Sequence, residues 1–180
     1  MLSADLTASC RRVLDSWQPP DVTQVVLRAR YLALITAEAD GWSRGCLPDH
    51  LTASGLVCST DGDQVLLILH HKVGRWLQVG GHIEAFDPSL EDAALREAAE
   101  ETGLPDLQVL PGPTRLFVHA ATCSPSARHL DVQFTFTADP GTSLRPEGDR
   151  VAWFAHDDLP ADVDEGLARL VTASRRRLAV

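Results

Sequence analysis

The chain has 180 residues, 44% of them hydrophobic and 23% charged, with a formal net charge of −9 at pH 7. That usage suits one packed α/β domain with room for an extra terminal element. So acidic a balance argues against long DNA or RNA as a partner, and no apolar run reaches the ~18–20 residues that span a bilayer. The opening residues Met1 to Asp5 lack the basic and apolar stretches of an export signal, so the expected location is cytoplasmic.

Taken in chain order, residues 1–45 read as a helical extension. Leu6, Cys10, Val13, Leu14 and Trp17 recur at helical spacing, and Pro19-Pro20 stops them. Asp21 is placed to cap a second helix whose apolar positions are Val22, Val25, Val26, Leu32 and Ile35. Residues 46–180 form the expected main domain. Leu56-Val57-Cys58 and Val65 to Leu69 are short apolar runs around Thr60-Asp61-Gly62-Asp63, a hairpin signal. Trp76 to Val79 is a short segment that ends in Gly80-Gly81. A helix follows from Asp87 to Thr102, with Asp87 as N-cap, Pro88 in the first turn and Gly103 as C-cap. Strands are expected at residues 115–121, 129–138 and 150–155, and a last helix at about 162–178. Helices, strands, a helix, strands and a helix in that order predict an α/β (α+β) fold, a mixed sheet between helical layers. Cys10, Cys46, Cys58 and Cys123 show no CxxC spacing and read as reduced thiols.

The chemistry is concentrated between Gly80 and Leu104. Glu97, Glu100 and Glu101 stand at i, i+3 and i+4, so one helix face presents three carboxylates. Like charges at that spacing destabilise a helix unless something compensates. Arg96 alone cannot neutralise three glutamates, whereas a hard divalent cation such as Mg²⁺ binds carboxylate oxygens readily. Taken alone, three glutamates read as a solvated acidic face. The flanking residues change the weighting: Ala93, Ala94, Ala98 and Ala99 let the helix approach a sheet, and Gly80-Gly81 permits close backbone approach.

This stretch resembles the box of the Nudix hydrolases: a Gly, five residues, a Glu, seven residues, then Arg-Glu-aliphatic-x-Glu-Glu-x-Gly-aliphatic. Gly81, Arg96, Glu97, Glu100, Glu101, Gly103 and Leu104 occupy matching roles. Asp87 stands where the family has its first Glu, eight residues separate it from Arg96, and Ala98 is the smallest aliphatic. The resemblance implies a Nudix α/β/α sandwich and attack by water on a diphosphate phosphorus. It implies Mg²⁺, with Mn²⁺ as a substitute. Glu100 and Glu101 would be metal ligands, Glu97 a third ligand or a base, and the Gly80 carbonyl a further ligand. Arg96 would orient a carboxylate. The family's general base varies in place, and Glu147, in the loop before residue 150, is the distal candidate. His70, Lys72 and Arg75 form a basic stretch suited to substrate phosphates, and His82 is expected at the cleft mouth. His119 reads as a buried histidine.

The box reports the reaction and not the leaving group. The only tyrosine, Tyr31, lies before the box, so the downstream tyrosine typical of dinucleoside polyphosphate hydrolases is missing. The extra motifs of the NADH-cleaving and ADP-ribose-cleaving groups are missing as well. The expected partner is a small phosphorylated substrate, a nucleoside triphosphate or a nucleoside diphosphate-linked molecule, and the resemblance is compatible with a homodimer. Two other readings share the fold. One is a non-catalytic nucleotide sensor, for which residues 1–45 supply no convincing output domain. The other is an isomerase of isoprenoid diphosphates, for which Cys58 would be the needed thiol.

Overall fold

The computed structural model describes residues 2–121, 124–146 and 148–179. Among these residues four helices, α1 (Leu2–Ser16), α2 (Val22–Ala37), α3 (Leu90–Thr102) and α4 (Glu165–Leu178), surround one eight-stranded sheet. Its spine is a parallel pair, β1 (Asp49–Ser59) and β7 (Ser124–Ala138), in register from Asp49 beside Arg128 to Ser59 beside Ala138. The other edge of β1 is shared. Thr52 to Gly55 pair with β4 (Val79–His82), and Val57 and Cys58 pair with β2 (Gln64–His70). Beyond that point β2 pairs with β3 (Arg75–Leu77) and along its length with β8 (Arg150–Ala155). The chain from 75 to 82 therefore crosses from the edge of β2 to the edge of β1 where the two strands part. That crossing delivers Gly80-Gly81 to the middle of the sheet. β5 (Gln108–Val109) and β6 (Arg115–Ala121) pair with β7.

The two-residue period of a strand sorts its side chains into two layers. Leu51, Ala53 and Val57 of β1, Leu66 and Ile68 of β2, and Leu130, Val132, Phe134 and Phe136 of β7 line one face. That core also contains residues of α1, α2 and α3. Leu56, Cys58, Val65 and Leu67 line the other face and are covered by Leu167, Leu170 and Val171 of α4. The result is the expected α/β/α sandwich on a mixed sheet. At the start of β1, His50, Thr52 and Ser54 continue the α4-side face as a polar surface.

The N-terminal helices share the main core: Leu6, Cys10 and Leu14 of α1 and Trp17 just after it, with Tyr31 and Ile35 of α2, pack into it. The buried stripe of α2 differs from the expected one. Val22, Val25 and Val26 are exposed, while Gln24 and Tyr31 are buried. The reason is hydrogen bonding to β6. The Gln24 amide accepts from the Leu116 N–H at 2.6 Å and donates to the Leu116 carbonyl at 3.1 Å, standing in for a strand neighbour. The Tyr31 hydroxyl lies 2.8 Å from the Phe117 carbonyl. Asp21 caps α2 as expected, accepting from the Gln24 N–H.

Two helix starts also move. α3 begins at Leu90, capped by Ser89, whose hydroxyl accepts from the Asp92 N–H at 3.1 Å. Such a cap contributes about 1 kcal/mol. Asp87 is not the cap because its carboxylate faces Arg96. α4 begins at Glu165 under an Asp164 cap, since the Asp162 carboxylate accepts from the Trp76 N–H. Gly103 ends α3 at φ 69°, and a side chain there would strike the backbone of Arg145.

Candidate active site

α3 lies across β4 and β1, and the carboxylates of its inward face meet the glycine pair. A Cβ on Gly81 would fall 2.6 Å from the Glu97 carboxyl carbon. The missing side chain is therefore what lets Glu97 rest on the strand. One residue earlier, the Gly80 N–H donates to Glu101 Oε2 at 2.9 Å. Glu100 is the more exposed of the three, its side chain half open to solvent. Arg96 ties the group together. Its Nε and Nη2 donate to the two oxygens of Asp87 at 2.9 Å each, and Nη2 also reaches the His82 carbonyl at 3.0 Å. Its Nη1 donates to Glu97 at 2.9 Å and to Glu100 at 3.3 Å. Asp87, 5% exposed, also accepts from the Glu84 N–H at 2.8 Å. Asp87 thus clamps the loop before α3 to the helix through a planar, bidentate pair.

The charges do not balance. Asp87, Glu97 and Glu100 share one guanidinium, and Glu101 has only a neutral N–H. Burial raises the Glu97 carboxyl above its ordinary range against the pull of Arg96. Burial, with Glu97, Asp149 and Glu100 adding repulsion, pushes Glu101 up to about 7 despite the Gly80 N–H. A cluster of oxygen donors that resists its own ionisation is a fit for a hard divalent cation, which restores the charged forms.

Of the residues expected at the site, Gly80, Arg96, Glu97, Glu100 and Glu101 come together. Glu147 lies outside the described residues, as does Cys123. His70 ends β2 and Lys72 sits in the turn after it, where the Lys72 N–H donates to the His70 ring. His71 Nδ1 meets Asp149 at 2.6 Å. Arg75 donates through Nε and Nη2 to the Asp162 carbonyl at 3.1 and 2.8 Å, which anchors the segment before α4. His82 offers its carbonyl to Arg96, but its ring lies on the opposite face from Glu97, because Thr52, its partner on β1, turns away from α3. There it meets His50 and His129, at centroid distances of 5.3 and 5.0 Å. His119 is half-exposed and not buried as expected, because β6 places it at the rim, edge-on to His129 at 5.0 Å. Cys58, the thiol an isomerase would need, is buried under α4 and pushed up to about 12 by that burial, which leaves it inert.

The sequence reading missed the clamp role of Asp87, the bearing of Asp149 on Glu101 and the gathering of histidines. For Asp87 a signal existed: an acid nine residues before an arginine that itself precedes three glutamates. For the other two the partners come from distant strands and loops.

A family model of the NUDIX domain matches residues 48–173. No curated protein sequence matches the chain. Among solved structures, a NUDIX-family hydrolase from Clostridium perfringens is similar at 25% identity and TM-score 0.58, over 72% of this chain and 96% of that one. An Ap4A hydrolase of C. elegans shares the fold at 14% identity and TM-score 0.61, over 72% and 97%. The NUDIX domain of Shewanella oneidensis NrtR, solved with ADP ribose, does so at 23% identity and TM-score 0.51, over 71% and 87%. With the box residues assembled on α3 and the family match spanning most of the chain, this protein belongs to the Nudix family and is a Nudix hydrolase acting on phosphoanhydride bonds.

Proposed function

We propose that the chain is a Mg²⁺-dependent hydrolase that splits the diphosphate bond of a nucleoside triphosphate or of a nucleoside diphosphate joined to another small group. The observation that carries this reading is the under-neutralised cluster of Glu97, Glu100 and Glu101 seated on Gly80-Gly81. Glu97, Glu100 and Glu101 would hold the ion, Mg²⁺ or Mn²⁺, with the Gly80 carbonyl beside them. When bound, the ion supplies Lewis-acid polarisation of phosphate oxygens and offsets the negative charge of substrate and protein alike. Arg96 keeps Glu97 and Glu100 aimed by its grip on Asp87. Glu97 or Glu101 accepts the proton of the attacking water at a carboxylate oxygen. Glu147 is the distal alternative for this role. His70, Lys72 and Arg75 supply positive and hydrogen-bonding groups for the phosphates at the end of β2 and start of β3, and His82 bounds the cleft through its carbonyl.

The test is a panel of nucleoside triphosphates, nucleotide sugars, ADP-ribose, dinucleoside polyphosphates and coenzyme A with Mg²⁺, followed by ³¹P NMR. Turnover of one class, lost in Glu101→Gln, supports the reading and names the leaving group. Binding without turnover across the panel would sink it. We also infer a homodimer through α2, whose Val22, Val25 and Val26 are 76%, 45% and 64% exposed. A monomeric mass in light scattering would remove that inference.

A further inference from the structure

On the face of the sheet turned away from α3, four strands bring histidines to one place. His50 near the start of β1 is in register with His129 of β7, His119 of β6 lies opposite His129, and His82 closes β4 opposite Thr52. We propose that His50, His82 and His129 form a second metal site, for a divalent transition-metal ion of the Zn²⁺ type, separate from the box carboxylates.

One ligand nitrogen of each ring lies within 4.8 Å of the others. His50 and His129 are 3% and 9% exposed, and the Nε2 of each has no hydrogen-bond partner among the described residues. A buried imidazole ordinarily uses both nitrogens, so two unmatched ones converging on a third histidine call for a shared partner. The outer shell is in place for His50. Its Nδ1 lies 3.2 Å from the Cys46 carbonyl, which fixes the proton on Nδ1 and leaves the Nε2 lone pair free to ligate.

Burial also keeps the rings neutral, the form that binds metal: His82 is held down to about 4 and His129 to about 3. Three imidazoles favour a borderline ion over Mg²⁺, which prefers oxygen. At the Zn–N distance of about 2.0–2.1 Å, tetrahedral nitrogens stand roughly 3.4 Å apart, so from separations within 4.8 Å the rings draw in by at most about 1.4 Å. Three protein ligands leave a fourth position for water or a substrate oxygen. Along the same face, Thr52 and Ser54 donate to Asp131 at 3.0 and 2.5 Å, which places a buried carboxylate next in line and favours positive charge. Nothing in this depends on the diphosphate chemistry proposed for α3.

The test uses the full chain freed of metal by chelation, with Mg²⁺ in excess to occupy the carboxylates. Co²⁺ serves as the visible probe. The expected result is one Co²⁺ per chain with the intense visible absorption of a low-coordinate nitrogen site, displaced by Zn²⁺. His129→Gln should weaken Zn²⁺ binding by about 100-fold or more, the upper end of what even outer-shell losses cost. Glu100→Gln should leave the spectrum unchanged. His82→Asn, at a half-buried position, provides a second ligand removal if His129→Gln fails to fold. In the wild type, Zn²⁺ should shift the ring nitrogen resonances of His50, His82 and His129 and leave those of His70, His71 and His156 in place. Co²⁺ binding that survives both histidine variants, that disappears in Glu100→Gln, or that never reaches stoichiometry would overturn the site.

Discussion

Strand β4 has two faces, and they solve opposite electrostatic problems. Toward α3, Gly81 gives up its side chain so that Glu97 can rest on the strand, and carboxylates crowd around one arginine. On the other face half-buried His82 joins the buried His50 and His129, three bases pressed together. Burial raises the acids and lowers the bases, so each cluster is driven toward neutrality. Yet the donor atoms differ, hard oxygens on one side and imidazole nitrogens on the other, and so does the ion each would hold. The contrast teaches that the same sheet position can present two unrelated chemistries, separated only by the alternation of side chains.

The largest expected effect falls on the α3 face alone. Glu101→Gln removes a proposed ligand and a candidate base together and should lower kcat by about 1,000-fold, within the range for loss of acid–base groups. The cobalt spectrum of the histidine face should not change. An equal loss of both would mean that the two clusters act as one site. Next comes Gly81→Ala. Its Cβ would meet the Glu97 carboxylate at 2.6 Å and displace it by the order of an ångström, a misplacement that costs about 100-fold in rate. Steady-state kinetics with a KM little changed would confirm that position and not binding is lost. A fully active Gly81→Ala would show that Glu97 has no positional role.

Arg96→Met ranks third and is read in stability. It leaves the Asp87 carboxylate, 3% exposed in its side chain, without its bidentate partner, a change that costs about 3 kcal/mol for a buried pair. Chemical denaturation should show that loss, and Asp87→Asn together with Arg96→Met should recover part of it. If the double variant is no better than the single one, Arg96 stabilises the fold through Glu97 and Glu100 instead.

These three residues also show how much of the molecule the sequence exposes. The three glutamates, the arginine and the glycines were legible because a helix writes its face at fixed spacing, and α3 ends at Gly103 as expected. Asp87 looked like a helix cap because caps and clamps draw on the same residue types. Its bond to Arg96 became visible only when the 83–87 loop had a path. The buried face of α2 was misjudged for a related reason. Exposed Val22, Val25 and Val26 outnumber the buried apolar side chains there, while Gln24 earns its place through two bonds to Leu116. The histidine cluster was illegible altogether. It needs the register of β1 on β7, and no local pattern in either strand encodes it.

The smallest effect distinguishes the two faces by the sign of their pH dependence in metal-free protein. His50, His82 and His129 are held below the ordinary histidine value by burial, with Arg44 and the neighbouring histidines adding repulsion. Below about pH 6.5 the unfolded chain takes up protons that the folded rings refuse, so their stability contribution is present above that pH and is lost as pH falls toward 4. Glu101 has the reverse sign. Raised to about 7 by burial and by Glu97, Asp149 and Glu100, it stays protonated in the fold after the unfolded chain has ionised. The fold therefore loses stability at this position as pH rises from about 4.5 to 7. Glu91 and Glu97, also raised by burial, share the sign of Glu101; with three histidines opposed to them, melts in EDTA at about pH 5 to 8 should give a Tm that rises with pH by a few degrees. Glu101→Gln should steepen that rise and His129→Gln should flatten it. Mg²⁺ should add stability mainly at the upper end of the range, where the carboxylates must be charged, and in Glu101→Gln that addition should shrink. If the two variants move the slope in the same direction, the opposition between the two faces of β4 is wrong.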